Sequence, residues 1–339
     1  MILPAAEIQK IGVFRALQLG DMLCHIPAMR ALRNAYPSAE IVLIGLPWCK
    51  EFTARFSHIY DRFIQFPGYP GLPEQPYNEA SYHGFLQQIR AESFDLLLQM
   101  QGNGTIVNEM MSNWNPKYLA GFSLDPVSPF FLKYPEGIHE IERHLALMLH
   151  LDVPSKGVEM EFPITVEDNT SLQQTGFPFP RKSYVCIHPG SRGAYRQWPP
   201  ENFALAANLC AEYGLRLVLT GTEAERPIIE KVVDHLDHPY FDACGLTGIG
   251  GMAQLVKDAA LIVCNCTGVS HIAAAVKTPG VIISMDGEPE RWGPLDKHIH
   301  KVINWLETPD LGLVLLQLVK LIKSRESVGA IRTDLPEFH

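Results

Sequence analysis

Residues 264–271 read CNCTGVSH, so small polar side chains follow an apolar run and precede an alanine-rich stretch. The pattern predicts a strand, a turn at Thr267 and Gly268, and a helix that begins there. The first N–H groups of a helix have no partner within it and the helix dipole is positive at that end, so anions bind at such turns. Thr267, Gly268 and the amide of Val269 are therefore candidates to bind a phosphate, and His271 points either at the same place or into the sheet. The alternative is an ordinary N-cap that binds nothing.

A second polar cluster, HPGSRGAYRQW (188–198), lies between another apolar run and a helix that is entered through proline. The hydroxyl of Ser191, nearby backbone amides and the guanidinium of Arg196 would together form a cradle for phosphate. The alternative is a flexible basic loop, which the Trp-Pro pair at 198–199 argues against.

Glu223 follows the next strand, where a carboxylate either accepts hydrogen bonds from ribose hydroxyls or caps its helix. Two phosphate turns and a ribose acceptor would make a nucleotide diphosphate site.

A third cluster, LGDMLCHIP (19–27), follows the first apolar run. Asp21 is either the N-cap of a helix or, at the carboxyl end of a strand, a general base. His25 either reaches the same place or packs in the interior. Arg30, together with Arg33, is the best candidate for a local basic patch.

The elements that must position these clusters form two βα series. Strand-like runs that are apolar almost throughout recur along the chain, as expected for parallel strands covered on both faces. They lie at 11–17, 40–46 and 94–100, and then at 184–190, 215–221, 260–265 and 280–287. Helices are predicted after Asp21 (kinked or started by Pro27), at 201–214, at 223–236 and at 310–324. Each half is therefore predicted to be a doubly wound α/β sheet.

Two irregular stretches complete this organisation. Residues 153–183 are rich in proline, glycine and polar residues, and mark the boundary between the halves. The proline- and tyrosine-containing loop at 65–84 is either a surface excursion or a lid over substrate.

Composition excludes several classes of function. The 339-residue chain is 47% hydrophobic with a net charge of −9. Residues 1–165 carry 12 Lys/Arg against 17 Asp/Glu and the remainder carries 16 against 20, so neither half has the basic surplus of a nucleic-acid binder. No apolar run is long enough to span a bilayer, and an acidic surface disfavours docking on anionic lipid. Seven scattered cysteines indicate reduced thiols, with no four-ligand zinc cluster. No Walker A or GxGxxG signature occurs, which argues against an NTPase or a dinucleotide oxidoreductase.

Three stretches together resemble glycosyltransferase family 9, the lipopolysaccharide heptosyltransferases and their relatives. They are LGDMLCHIPAMRALRNAYPSAEIVLIG (19–45), CIHPGSRGAYRQWPPENFALAANL (186–209) and LVKDAALIVCNCTGVSHIAAAVKTPGVIISMDGEPERWGPL (255–295). The third resembles the most specific motif of the family, a turn of the form D-T-G-x-x-H-x-A-A-A followed by a strand. The resemblance covers nearly the whole chain in the same order.

This resemblance implies a GT-B architecture, in which two Rossmann-like doubly wound domains face each other across a cleft. We expect an acceptor-side domain at 1–165, a nucleotide-sugar domain at 166–325 and a C-terminal tail at 326–339. Asp21 matches the catalytic base, and Gly20, His25 and Arg30 are candidate acceptor contacts. Ser191 and Arg196 match the residues that meet the diphosphate, Thr267, Gly268, Val269 and His271 match the phosphate turn, and Glu223 falls near a ribose-binding acid. No metal and no further cofactor is expected, since the nucleotide-sugar is itself a substrate.

The chain departs from the family pattern at Cys266, where the turn usually has Asp. A thiol accepts hydrogen bonds poorly and is uncharged at neutral pH, so the sugar part of the donor is where this chain is expected to differ. The resemblance implies an inverting glycosyltransferase that moves a heptose-like sugar from an ADP-linked donor to a saccharide or glycolipid. Alternatives are a non-catalytic nucleotide-sugar-binding homologue and a nucleotide-sugar epimerase. We expect a cytoplasmic protein with at most peripheral membrane contact, at the inner face of the inner membrane.

Overall fold

A computed structural model describes residues 7–333 of the chain. It divides into two compact units, one ending at Pro163 and the next starting at Ile164. Each unit contains one six-stranded sheet in which every pair of neighbouring strands is parallel.

The first unit has the strand order β3-β2-β1-β4-β5-β6. Its strands are β1 (Lys10–Phe14), β2 (Glu40–Gly45), β3 (Arg62–Gln65), β4 (Leu96–Gln99), β5 (Tyr118–Ser123) and β6 (Phe131–Lys133). Its helices are α1 (Leu19–Cys24), α2 (Ile26–Ala35), α3 (Cys49–Arg55), α4 (Glu79–Ala91), α5 (Val107–Ser112) and α6 (Glu140–His150).

The second unit repeats the same order as β9-β8-β7-β10-β11-β12. Its strands are β7 (Tyr184–His188), β8 (Arg216–Leu219), β9 (Tyr240–Asp242), β10 (Leu261–Asn265), β11 (Gly280–Ser284) and β12 (His300–Asn304). Its helices are α7 (Val166–Gln174), α8 (Pro200–Glu212), α9 (Arg226–Val233), α10 (Ile249–Asp258), α11 (Gly268–Ala275), α12 (Pro289–Trp292) and α13 (Leu311–Thr333), with short 3-10 turns at 194–196 and 223–225.

The central strands are buried along most or all of their length. Every residue of β4, β10 and β11 is buried, which is the covered-on-both-faces pattern that the apolar runs predict. In the second unit, Trp198 and Phe203 pack edge to face within the core, and residues of α13 such as Leu318 complete it. The predicted α/β class with two Rossmann-like doubly wound sheets is confirmed.

The sequence did not predict five strands, namely β3, β5, β6, β9 and β12. They lie towards the outside of the two sheets, and their burial is mixed, so they lack the continuous apolar run of a central strand. Pro27 lies in the first turn of the separate helix α2, where its missing N–H costs nothing, so it marks a helix start rather than a kink. Likewise, the helix predicted at 223–236 is a 3-10 turn followed by α9, with proline in its first turn.

The last helix extends further than the sequence indicates. α13 packs against α8 and β11 and runs to Thr333, so the predicted tail at 326–339 begins as helix, and residues 334–339 lie outside the described part. Within residues 7–333, no helix combines the length and the apolar character that crossing a membrane requires. All seven cysteines are buried and unbridged.

Candidate active site

The polar clusters lie at the carboxyl ends of the strands where strand order reverses. In the first sheet that point is between β1 and β4, and Asp21 follows β1 in the first turn of α1. In the second it is between β7 and β10, which are followed by Ser191 and Thr267. Doubly wound sheets bind ligands at this position because the connections diverge to opposite faces and leave a crevice.

Asp21 is partly buried, with 26% of its side chain exposed. Burial raises the pKa of its carboxyl group; the positive charge of Arg15 opposes this and the negative charge of Glu140 adds to it. Arg15 itself is fully buried beneath α1, where its Nε donates to the backbone oxygen of Asp21 at 3.0 Å and its Nη1 donates to that of Met100. Asp21 therefore binds a proton more tightly than an ordinary aspartate, and its carboxylate is still accessible from the surface.

The three candidate acceptor contacts, Gly20, Arg30 and His25, differ in their exposure and in their hydrogen-bond partners. Gly20 lies beside Asp21 at the start of α1, partly exposed. Arg30 is held by the backbone oxygen of Glu159 at 3.0 Å and lies 3.4 Å from the carboxylate of Glu161. His25 is fully buried, and burial lowers its pKa well below the ordinary value, so its ring is a neutral part of the interior.

His25 is held by polar partners on both sides. Its Nε2 lies 2.6 Å from the hydroxyl of Tyr60, and its Nδ1 contacts the backbone oxygen of Met22. A neutral imidazole satisfied in this way fixes the end of α1. The sequence could not separate this packed position from a surface contact, because both place a histidine just beyond the helix.

In the second unit, Asn265 joins the two predicted phosphate loops. Its Oδ1 accepts from the backbone N–H of Trp198 at 3.0 Å, and its Nδ2 donates to the backbone oxygen of Pro189 at 2.8 Å. Asn265 is fully buried at the end of β10, so both bonds lie in the interior, where hydrogen bonds are strongest. The loop that the Trp-Pro pair predicted to be ordered is therefore tied at both of its ends to the neighbouring strand.

Arg196 forms the second link between these loops. Its Nη2 donates to the backbone oxygen of Cys266 at 2.8 Å and lies 2.7 Å from Oδ2 of Asp286. Asp286 follows β11, and its Oδ1 accepts from the hydroxyl of Ser284 at 2.8 Å. The guanidinium is thus fixed at the carboxyl ends of three adjacent strands, with 30% of its side chain still exposed.

Ser191 lies in the same loop and is buried, and its hydroxyl has no hydrogen-bond partner among the described residues. Unpaired buried polar atoms are uncommon in folded proteins, and a bound ligand is one way in which such an atom obtains its partner. The adjacent Gly190 packs closely against the carboxylate of Glu225, which would have to move if residue 190 had a Cβ atom.

The TG turn has the geometry that its sequence predicts. Thr267 is the extended N-cap residue of α11, and the hydroxyl of Ser270 accepts from its N–H at 3.2 Å while donating to its carbonyl at 2.7 Å. Gly268 and Val269 are the first two helical residues, whose N–H groups have no acceptor within the helix. His271 is buried, with its ring against Trp292 at a centroid distance of 6.4 Å.

Two acids follow β8, and they lie in different surroundings. The carboxylate of Glu223 is 69% exposed and forms a bidentate pair with Arg226, at 2.7 and 2.9 Å. Glu225 accepts from the N–H and the hydroxyl of Thr222 and lies against Gly190 in the β7 loop. Of the two, Glu225 is the one close to the predicted diphosphate loop.

Cys266 is buried, with only 3% of the residue exposed. Burial, with a contribution from the negative charge of Asp286, raises the pKa of this thiol to about 12, so it is uncharged at neutral pH. The carboxylate at this edge of the sheet is supplied by Asp286, one strand away. Asp286, Asn265 and Arg15 are not among the residues that the sequence predicted for the site, although Asp286 carries a signal because it follows an apolar strand in SMDGE.

One unit contains the partly exposed carboxyl group of Asp21, and the other contains a fixed guanidinium, helix N-terminal amides and a buried hydroxyl. Charges of this kind bind phosphoryl oxygens and stabilise negative charge that develops on a leaving group. In the part of the chain that the structure describes, no three His, Cys, Asp or Glu side chains come together as a metal site would require.

Residues 82–312 match the family model of glycosyltransferase family 9 (heptosyltransferase). This chain belongs to glycosyltransferase family 9. The family 9 match begins after Asp21 but includes both loops of the second unit. The lipooligosaccharide heptosyltransferase 2 of Haemophilus ducreyi is 23% identical over 318 residues, covering 85% of this chain and 86% of the relative. The chain is accordingly a glycosyltransferase.

Solved structures show the same fold for family 9 members. The family 9 glycosyl transferase of Veillonella parvula superposes with a TM-score of 0.77 at 17% identity, covering 94% of this chain and 96% of that one. The ADP-heptose lipopolysaccharide heptosyltransferase II of E. coli gives 0.73 at 19% identity, covering 94% and 99%. The expected GT-B class of fold is therefore confirmed.

Proposed function

We propose that the chain is an inverting glycosyltransferase that transfers a heptose-like sugar from an ADP-linked donor to a saccharide or glycolipid acceptor. Family membership supports the reaction class, and a structural neighbour whose name includes ADP-heptose supports the donor. In this proposal the second unit binds the donor diphosphate, while the first unit supplies the base and the acceptor contacts.

The observation that carries the proposal is the position of Arg196. Its guanidinium bonds to the backbone oxygen of Cys266, so a fixed positive charge lies between the loop that contains Ser191 and the turn at Thr267. Asn265 holds the two loops in register beneath it. A diphosphate bound here would contact the guanidinium, supply a partner for the Ser191 hydroxyl, and meet the amides of Gly268 and Val269.

Asp21 is the proposed base. It takes the proton of an acceptor hydroxyl as that oxygen attacks C1 of the donor sugar, and the bond from C1 to the diphosphate oxygen breaks on the opposite face. One displacement of this kind inverts the configuration at C1. The raised pKa of Asp21 suits the role because a base of higher pKa accepts a proton more readily, provided that it is ionised at the working pH.

The leaving diphosphate gains negative charge as the C1–O bond breaks. Arg196 and the amides at the start of α11 would stabilise that charge without moving, because the interactions with Asn265, Cys266 and Asp286 already fix them. Preorganised donors and charges of this type are commonly the largest contribution to catalysis.

Cys266 and Asp286 together point to where the donor sugar is recognised. The resemblance places Asp at position 266, where this chain has a neutral buried thiol. Asp286 provides a carboxylate next to it, and we propose that sugar hydroxyls are recognised there. Glu225, rather than the more exposed Glu223, is the proposed ribose acceptor because it lies beside the diphosphate loop.

The experiment is a donor and acceptor assay with the purified chain. Thermal shift with ADP, UDP and ADP-heptose measures binding, since a ligand specific for the folded state raises the melting temperature. Transfer is then measured on core saccharide acceptors, with the anomeric configuration of the product assigned by NMR. Binding without transfer to any acceptor would favour a non-catalytic homologue, and turnover of donor alone to an epimer would favour an epimerase.

A further inference from the structure

A buried group of charged side chains lies beneath Asp21, and Glu140 is at its centre. Glu140 is in the first turn of α6, a helix that packs against α1, and its side chain is 7% exposed. One of its oxygens, Oε1, lies 3.6 Å from Nη2 of Arg15, and the other contacts Arg143. Arg15 connects this group to Asp21, because its Nη2 also lies 4.0 Å from Oδ1 of Asp21.

Nη2 of Arg15 thus lies near two carboxylates, while the hydrogen bonds of Arg15 are made by its other nitrogens. Its Nε and Nη1 donate to backbone oxygens, which fix the plane of the guanidinium, whereas Nη2 donates no hydrogen bond within the described residues. If Arg15 faced Asp21 alone, the two would form a neutralised ion pair and Asp21 would be a weak base. Because Glu140 also lies beside the guanidinium, the positive charge of Arg15 is already partly neutralised. Arg15 therefore positions Asp21 without strongly stabilising its ionised form.

The histidine and tyrosine side chains around Arg15 are uncharged, so they do not alter how its charge is shared between Asp21 and Glu140. On α6, His144 Nε2 lies 3.3 Å from Oε1 of Glu140, and burial lowers the pKa of His144 to about 4, so its ring is neutral at working pH. His25, at the end of α1, is neutral for the same reason, and burial keeps Tyr60 protonated by raising its pKa.

Glu140, by contrast, is ionised. Burial opposes its ionisation, but the contact with His144 and the positive charges of Arg15 and Arg143 outweigh burial and hold its pKa below the ordinary value. The fixed charges that act on Asp21 are therefore the guanidinium of Arg15 and the carboxylate of Glu140, and Arg143 pairs with Glu140.

We propose that Glu140 is a positioning residue for the base: it holds the Arg15 guanidinium beneath α1 and prevents Arg15 from pairing fully with Asp21. This proposal rests on the proposed function, in which Asp21 accepts the acceptor proton. It adds that α6 sets how strong a base Asp21 is.

The test is Glu140→Gln, with Glu142→Gln as the matched control. Glu142 lies in the same first turn of α6 and is exposed, so its substitution changes helix charge equally without touching the buried group. In Glu140→Gln, Arg15 pairs with Asp21 alone, so the acidic limb of the pH–rate profile moves to lower pH. The plateau kcat falls by about 10-fold, well short of the ~10²–10⁴-fold loss on removing a base. Glu142→Gln leaves both unchanged.

A direct titration of Asp21 separates this proposal from the proposed function. The side-chain carboxyl carbon of Asp21 is followed by NMR against pH, and its signal is assigned by its absence in Asp21→Asn. In Glu140→Gln the midpoint of this signal moves to lower pH, whether or not Asp21 is the base. An unchanged midpoint overturns the role of Glu140, whereas a shifted midpoint with an unshifted pH–rate profile removes Asp21 from the mechanism.

Glu140→Asp covers the case in which the glutamine variant does not fold. It keeps the negative charge but withdraws it from Arg15 by one methylene. The Asp21 midpoint then lies between that of the parent and the lower values expected for a fully paired Asp21, and kcat falls less than in the glutamine variant. A midpoint and a kcat identical to those of the parent would contradict the proposal, because the position of the charge would then have no effect.

Discussion

Arg196 and Asp286 form an ion pair at 2.7 Å between a loop that follows β7 and a turn that follows β11. The same nitrogen donates to the backbone oxygen of Cys266, after β10, so one guanidinium connects the ends of three strands. A positive charge held by both a carboxylate and a carbonyl cannot swing away when substrate is absent. In the proposed function this charge would meet the diphosphate, and its partner Asp286 would lie next to the donor sugar.

Asp21→Asn is expected to lower transfer by about 10²–10⁴-fold, the usual effect of removing a positioned general base. Donor affinity should be unchanged, because the residues proposed to bind the donor lie in the other unit. Initial rates and donor titration measure the two quantities, with the exposed Asp125→Asn as control. Transfer at the parental rate would exclude Asp21 from the reaction.

The stability of the protein should depend on pH in opposite ways at Asp21 and at Glu140. The pKa of Asp21 is raised on folding, so its contribution favours folding below the pKa of the unfolded chain and is lost as pH rises through the folded pKa. The pKa of Glu140 is lowered, so its contribution is present above the ordinary pKa and is lost as pH falls through the folded value.

At neutral pH, Asp21→Asn is therefore expected to be at least as stable as the parent, because it removes a carboxylate whose ionisation folding opposes. Glu140→Gln should lose about 3–5 kcal/mol, since it leaves buried guanidinium groups without their partner. Urea unfolding measures both. A destabilised Asp21→Asn would indicate that its pairing with Arg15 outweighs the cost of burial.

Arg196→Ala should weaken ADP binding by about 1.5–3 kcal/mol, the contribution of a hydrogen bond to a charged group. Adenosine binding should be unaffected, because the guanidinium is expected to contact phosphate only. Arg192→Ala is the matched control, since Arg192 is exposed in the same loop. Calorimetry in which adenosine and ADP lose equal affinity would contradict the assignment.

Ser191→Ala should reduce ADP affinity by about 0.5–1.5 kcal/mol while leaving the unliganded protein as stable as the parent, or more so. The hydroxyl is buried without a partner among the described residues, so its removal leaves none of their polar groups unsatisfied. Calorimetry and thermal unfolding test the two statements. A marked loss of stability with full ADP affinity would mean that the hydroxyl serves the fold and not the ligand.

Cys266→Asp should leave ADP affinity within a small factor, or slightly lower, because backbone amides and Thr267 do not depend on residue 266. It should lower stability, since a buried carboxylate would be added near Asp286. Asp286→Asn in the Cys266→Asp background should restore part of that stability. The two substitutions together should change the preference of the protein among donor sugars.

These statements are checked by a double-mutant cycle on melting temperature and by titration with a panel of ADP-sugars. Additive changes in stability would show that positions 266 and 286 do not interact. If neither the folded parent nor the variants bind ADP, the donor site has decayed and the transferase proposal fails with it.

The sequence determined those parts of the fold and of the candidate site that depend on local patterns. Continuous apolar runs predicted the seven strands that form most of the two sheets, because a strand covered on both faces has no exposed side. Turn chemistry predicted the TG cap at Thr267 and the ordered loop before Pro199. The resemblance pointed to Asp21, Ser191 and Arg196. Short outer strands such as β6 were not predicted from the sequence, because a strand with mixed burial has no continuous apolar pattern.

The tertiary structure decided what each polar residue touches. His25 is indistinguishable in sequence from a surface histidine, and only the tertiary packing of side chains such as Tyr60 and Phe52 around it makes it interior. Glu223 and Glu225 are two residues apart, yet one pairs with Arg226 and the other lies against Gly190. Arg196 meets Asp286 across 90 residues of chain, and Arg15 meets Glu140 across 125. Sequence periodicity reports which side of an element is buried, whereas partners so distant in the chain are set by strand order and helix packing.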